Sequence, residues 1–229
     1  FSSNRAGDRG GRDIYVINVD GENLVRLTES ELWESGPRWS PDGSQIAYEV
    51  MGGSSDHYGN VYVMNADGSD QRRLVETTGA SDPNWSPNGE WIAYSDGRFG
   101  SAVHIVRVDG TERRDLTRVG IRARWPRWSP DGSQLAWSAD DESGSLDGIV
   151  VLNMTTGSTR LVSSATGKLE WSPDSEWLLV AMPAVDATGA PTDDGGLYLV
   201  RPDDGSTTLL AKRYVDEYDV FLDWRQANP

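Results

Sequence analysis

A five-residue phrase recurs through this chain at nearly constant spacing, and it constrains the fold more than any bulk property. Trp39-Ser40-Pro41-Asp42-Gly43 returns as Trp85-Ser86-Pro87-Asn88-Gly89 and as Trp128-Ser129-Pro130-Asp131-Gly132. A weaker copy is Trp171-Ser172-Pro173-Asp174-Ser175, and Trp224-Arg225-Gln226 is a degraded fifth. The tryptophans lie 46, 43, 43 and 53 residues apart. A second motif keeps step with the first: Ile14-Tyr15-Val16, Val61-Tyr62-Val63, Val103-His104-Ile105, Ile149-Val150-Val151 and Leu197-Tyr198-Leu199. Four of these lead into Asp20-Gly21, Asp67-Gly68, Asp109-Gly110 or Asp204-Gly205, and the other passes through Thr155-Thr156-Gly157. A period of this length marks an architecture of stacked units, because no single unit buries its apolar face alone.

Each unit reads as four short strands, a to d. Strand a carries the motif Trp and ends in a turn where proline presets φ and glycine takes the positive φ that follows. Strand b alternates, with Ile46, Ile92, Leu135 or Leu178 at one position and Tyr48, Tyr94, Trp137 or Val180 two residues on. Strand c is the Ile-Tyr-Val motif, and strand d ends in pairs such as Leu27-Thr28, Leu74-Val75 and Leu116-Thr117. Four strands in about 45 residues with tight hairpins between them is the pattern of a propeller blade. The expected fold is an all-β, five-bladed β-propeller spanning 1–229. Its expected blades are 221–229 plus 1–28, 36–75, 82–117, 125–162 and 168–211. In the first of these, strand a (Phe221–Trp224) is expected to join strands b, c and d from the N-terminus. That splice would close the ring and remove two open sheet edges.

The paired motifs, Trp-Ser-Pro-Asp-Gly with Ile-Ala-Tyr and Ile-Tyr-Val with a following Asp-Gly and Leu-Thr, resemble the TolB-type β-propeller repeat, also called the WD40-like or PD40 repeat. The resemblance covers essentially the whole chain. It implies a bacterial binding module, commonly outside the cytoplasm (periplasmic or secreted) or appended to a larger protein. TolB itself has six blades where this sequence shows five.

In an up-and-down blade the short a–b and c–d turns share one end, and the longer b–c and d–a connections share the other. Binding chemistry concentrates on variable loops held by a rigid scaffold, so the long-loop end is the candidate surface. The ten tryptophans sharpen this. Five are motif residues, Trp91 and Trp177 share a strand-b position, and Trp137 replaces a strand-b tyrosine; packing between blades accounts for these eight. Trp33 and Trp125 have no repeat role and are read as d–a loop residues, either contacts for a partner or plugs over the end of the fold. Arg122 and Arg124 make a basic patch beside Trp125. Asp56-His57-Tyr58 offers an acid, an imidazole and a ring, and Phe99, Tyr214 and Tyr218 add aromatic area. Glu34 and Asp82 are expected near the mouth of the channel.

Charge and composition exclude several classes. The chain has 21 Lys and Arg against 36 Asp and Glu, a net charge of −15, which repels phosphate backbones and argues against nucleic-acid binding. No apolar run approaches the roughly 20 residues that span a bilayer, so membrane insertion is not expected. Absence of cysteine removes thiol nucleophiles and thiolate zinc sites. The start at Phe1 is that expected of a piece of a longer chain or complex. The residues preceding the motif tryptophans, Arg38, Asn84, Arg127, Glu170 and Asp223, are two cations, an amide and two anions, a set expected to pair between neighbouring blades rather than to form a catalytic acid pair. The expected cofactor is none. Asp140, Asp141 and Glu142 with Asp147, and Asp193 with Asp194, are the oxygen-rich loops that could hold Ca²⁺. Taken together, the residues predict a non-catalytic module docking a protein or peptide at its long-loop end. A carbohydrate-binding or glycoside-cleaving propeller and a structural assembly module stand as the alternatives.

Overall fold

The computed structural model describes residues 1–5, 11–52, 59–75, 77, 79–97, 102–117, 121–141, 147–164, 166–182 and 195–212. All regular structure among them is β. The chain divides into two compact units, Phe1–Arg118 and Val119–Pro229.

In the first unit, β1 (Ser2–Ser3), β2 (Asp13–Val16) and β3 (Val25–Arg26) form a three-stranded antiparallel sheet. Next come β4 (Trp33–Trp39), β5 (Gln45–Met51), β6 (Asn60–Asn65) and β7 (Arg72–Arg73), paired in sequence order. The third sheet holds β8 (Ser81–Trp85), β9 (Trp91–Asp96), β10 (Ala102–Arg107) and β11 (Arg113–Asp115). In the second unit, β12 (Ile121–Trp128), β13 (Gln134–Asp141), β14 (Gly148–Asn153) and β15 (Thr159–Ser163) make one meander. The other is β16 (Lys168–Trp171), β17 (Leu178–Met182), β18 (Gly196–Val200) and β19 (Thr207–Lys212). These are the five blades of an all-β propeller fold, with β1 as the end of a strand b. The closing strand expected over Phe221–Trp224 lies outside the described residues.

Alternation along strand b builds the core. On β5, Ile46, Tyr48 and Val50 join Ile14, Leu27 and Met64 between the first and second sheets. Ala47, pointing the other way, joins Val61, Val63, Trp85, Ile92 and Tyr94 between the second and third. In the second unit, Ile149, Val151, Leu169, Trp171, Leu178 and Val180 play the same part. The motif Trp adds a polar tie: Trp85 Nε1 donates to the Arg38 carbonyl at 3.0 Å and Trp171 Nε1 to the Arg127 carbonyl at 2.9 Å. The third and fifth sheets are thus each pinned to the residue before the preceding sheet's tryptophan.

The Ser-Pro-Asp-Gly phrase closes its turn through a relay. Ser40 Oγ accepts the Gln45 N–H at 2.9 Å and donates to Asp42 at 2.6 Å, and Asp42 also accepts the Ser44 N–H. Ser129 and Asp131 repeat this with Gln134 and Ser133. In the third sheet Asn88 does the work of the aspartate for Ser86 and Glu90. Gly43, Gly89 and Gly132 hold φ of 71°, 72° and 73° there, while Ser175 takes the same conformation at 63°.

Strand a differs from the sequence reading in its start and in where its loop residues fall, and it is interrupted where a proline occurs. Strand a starts earlier than expected in two blades, at Trp33 rather than 36 and at Ile121 rather than 125. A residue before proline breaks its pairing with strand b: register shifts fall between Ser35 and Arg38, Ser81 and Asn84, and Arg124 and Arg127. The left-handed residues are Gly36, Asp82 and Trp125, at φ of 59°, 55° and 57°, each followed by proline. Proline cannot donate to the ladder, so the strand bulges and then resumes. In β16 no proline occurs and the pairing is regular. Trp33 is therefore a strand residue just before one bulge and Trp125 the left-handed residue of another, and neither is a loop residue.

Packing of the repeat tryptophans also differs from expectation. Trp85, Trp128, Trp137 and Trp171 are buried, but Trp39 is 49% exposed. Trp91 and Trp177 are only half-buried and carry guanidinium groups on their faces, Arg114 at 4.6 Å over Trp91 and Arg201 at 5.4 Å over Trp177.

Candidate functional site

At the long-connection end of the first unit, the start of β4 is tied to the start of β2. Arg12 and Trp33 form a parallel bridge, and the Glu34 N–H donates to the Arg12 carbonyl at 2.9 Å. The Arg12 guanidinium stands 6.0 Å from the Trp33 ring centroid, and Trp33 is 50% exposed. A rigid strand therefore presents a large aromatic to solvent with a cation beside it.

Glu34, the next residue, points the other way and is 4% exposed. Its carboxylate accepts from the Thr28 hydroxyl and from Ser30 Oγ at 2.7 Å, while Thr28 Oγ1 accepts the Ile14 N–H at 2.9 Å. Burial pushes the Glu34 carboxyl above its ordinary range, the two hydroxyl donors oppose that rise, and the charge of Asp13 adds to it. Asp13, equally buried, pairs with Arg26 at 2.8 Å through Oδ2. The positions matching Glu34 in the third and fourth blades, counted back from the motif Trp, are Ala80 and Ala123, both fully buried. An acid where the third and fourth blades keep alanine is a departure readable in the sequence, shared only with Asp219 five residues before Trp224.

Asp82, also expected at this end, is held inward. Its backbone N–H donates to Glu49 Oε1 at 2.5 Å, and its carboxylate accepts from Ser81 and Ser95 hydroxyls. Glu49 takes the position that Ser95 and Ser138 occupy in the next two blades; Ser138 Oγ accepts the Gly167 N–H at 3.2 Å in the second unit. Sequence reasoning passed over Glu49, although its charge at a serine position was a readable departure from the repeat.

In the second unit the basic patch and the acidic loop turn out to be one structure. Arg122 Nε lies 2.6 Å from Asp140 Oδ1, and an Arg124 terminal nitrogen lies 2.8 Å from Oδ2. A Ca²⁺ ion at Asp140 would have to displace both guanidinium groups. Asp141 closes β13 opposite Ile121, and Asp147 is exposed just before β14. Among the described residues no group of three or more acidic or histidine side chains converges as a metal site. Trp125 is 9% exposed and packs in the core cluster with Leu169 and Trp171, with Arg124 5.0 Å over its ring. It is a core residue, which corrects its reading as a surface anchor. Arg127 and Glu170 do pair, at 3.2 Å, as the charges before the motif tryptophans imply. Asp56, His57, Tyr58, Phe99, Glu142, Asp193, Asp194, Tyr214 and Tyr218 lie outside the described residues.

The histidine at a strand-c tyrosine position is structural. His104 stacks on Tyr94 with ring centroids 5.3 Å apart, and its nitrogens face Asp115 at 2.7 Å and Asp96 at 3.1 Å. The His104 hydrogen bond holds Asp115 below its ordinary range. Burial would raise Asp96, but His104 and Arg113 outweigh it and hold that carboxyl low as well.

A family model described as the TolB beta propeller domain matches residues 50–191. The Tol-Pal system protein TolB of Francisella tularensis subsp. mediasiatica (strain FSC147) is 28% identical over 176 residues, 76% of this chain and 39% of that protein. The chain thus spans about two fifths of the length of the curated relatives it matches. Among solved structures, TolB from Acinetobacter baumannii superposes with a TM-score of 0.66 at 16% identity, covering 90% of this chain and 50% of that one. An oligogalacturonate lyase in complex with manganese superposes at 0.62 with 19% identity, covering 85% and 55%. At such identities the likeness is one of fold, and this fold carries unrelated activities.

Proposed function

Because the chain belongs to the TolB beta-propeller family, we propose that it is a non-catalytic binding module that docks a protein or peptide at the end of its blades where β4 begins, outside the cytoplasm and as part of a larger assembly. The observation that carries this reading is Trp33: a half-exposed indole on a strand, with Arg12 beside it and the buried Glu34 network behind it. Aromatic and arginine side chains on a rigid support are the usual anchors of a protein interface. The carboxylates at this end are engaged in holding the backbone: Glu34 with Thr28 and Ser30, Asp82 with Ser81 and Ser95. That occupation supports positioning over acid–base chemistry.

The test is a parallel screen of peptide and glycan arrays with the wild-type chain and its Trp33→Ala variant. Peptide binding that disappears in the variant, with its thermal unfolding unchanged, is the expected result. Binding to glycans alone would replace this reading with the carbohydrate alternative. Peptide binding unaffected by the substitution would move the docking surface elsewhere.

A further inference from the structure

At the opposite end of the first unit, the turns of the second and third sheets leave a groove of about 330 Å³ between them, lined by Pro41, Asp42, Ser44, Trp85, Asn88 and Gly89 among others. Its openness follows from one residue. In the second unit the corresponding turns are bridged, since Ser175 takes the place of the turn glycine and its Oγ accepts the Asp131 N–H at 3.2 Å. Gly89 has no side chain to do this, and a Cβ there would stand 3.9 Å from Pro41 Cδ, in ordinary contact. The groove is thus a repeat interface left unfilled.

Its chemistry is one-sided. None of the residues lining it is basic. Asp42 is exposed, and bonds from Ser40 and Ser44 hold its carboxyl down at about 2, so it is ionised under all ordinary conditions. Those bonds concentrate on Oδ1, which takes the Ser40 hydroxyl, the Ser44 N–H and the Ser44 hydroxyl; Oδ2 shares only the last. A carboxylate oxygen has lone pairs to spare in that arrangement. Pro41 and Pro87 supply apolar walls, and the buried Trp85 closes the floor between them.

We propose that this groove is a recognition site for an arginine side chain of a peptide, with the guanidinium donating to Asp42 Oδ2 and its plane lying against the Pro41 and Pro87 surface. A planar cation with a fork of donors matches a carboxylate in a narrow apolar groove better than a compact, strongly hydrated ammonium does. The site is separate from the Trp33 end and does not depend on it.

The experiment titrates N-acetyl-arginine amide into the full chain and follows the Trp85 indole N–H by NMR, with the isosteric neutral N-acetyl-citrulline amide as comparison. The arginine probe is expected to saturate with a dissociation constant of roughly 1–10 mM, as befits a small ligand in a shallow site, and the citrulline probe to bind at least tenfold more weakly. Asp42→Asn is expected to weaken the arginine probe by about tenfold or more. That variant keeps its turn, since Asn88 already fills the equivalent position with the same partners. Gly89→Ser, which copies Ser175, is expected to block the groove, and Asp131→Asn to leave binding unchanged. Equal binding of the two probes, no saturable shift at Trp85, or equal losses in Asp42→Asn and Asp131→Asn would each overturn the proposal.

Discussion

Glu49 Oε1 accepts the backbone N–H of Asp82 at 2.5 Å, so a side chain of the second sheet holds the left-handed residue of the third. The same carboxylate approaches Gly36, where a Cβ would stand 3.2 Å from Oε1 at a φ of 59°. Ser35 Oγ donates to Glu49 Oε2 at 3.3 Å, so this side chain bonds beside both successive bulges.

Removing that side chain leaves a backbone N–H without its acceptor. Glu49→Ala is expected to destabilise the chain by about 1–3 kcal/mol, the usual cost of an orphaned donor. Glu49→Gln keeps an Oε1 acceptor and is expected to cost less than half as much. Urea denaturation of the two variants against wild type measures the difference.

Glu34 gives a pH dependence of definite sign. Its folded-state carboxyl is raised, chiefly by burial, so the folded chain holds the proton more tightly than the unfolded one. Its favourable contribution is present below the ordinary glutamate value near 4.3 and is lost as pH rises through the raised folded value. Glu34→Gln removes this titration. The stability of Glu34→Gln relative to wild type is expected to increase from about pH 4 to pH 7, as read by denaturation at a series of pH values.

Trp33 and Trp125 look alike in sequence and are expected to behave oppositely. Trp33→Ala exposes little new surface and should change stability by less than about 0.5 kcal/mol. Trp125→Ala empties a core position and should cost about 3–5 kcal/mol. Thermal or chemical unfolding of the two variants decides.

The indole ties between sheets carry a separate increment. Trp171→Phe keeps most of the ring but removes the donor to the Arg127 carbonyl, at 2.9 Å in the wild type. A loss of about 1–2 kcal/mol is expected, and a loss no greater than that of an exposed substitution would show the bond to be dispensable.

The repeat was legible because each of its residues has a local task. Ser40, Asp42 and Gly43 close one turn by themselves, so the phrase is visible without knowledge of anything distant, and strand alternation follows from it. Bulges were less legible: Pro37, Pro83 and Pro126 were in view, but that each would put its predecessor at positive φ inside a strand depends on strand b continuing beside it. That dependence is why Trp33 and Trp125 read as loop residues. Exposure was the least legible property. Trp125 is buried by Leu169 and Trp171 of another sheet, and Arg122, Arg124 and Asp140 come together only through the β12–β13 register, so a basic patch and an acidic loop looked like two features. Glu34 was found by its place near the blade end, whereas Asp13 is an ordinary acid until the fold buries it, and Glu49 stood out only as a charge where the next two blades have serine.

The docking role of Trp33 is tested most directly by calorimetric dissociation constants for the best array peptide with wild type and Trp33→Ala. At least tenfold weaker binding by the variant, with an unaltered melting temperature, is the result expected of an exposed anchor on a rigid strand. An unchanged constant would contradict the account.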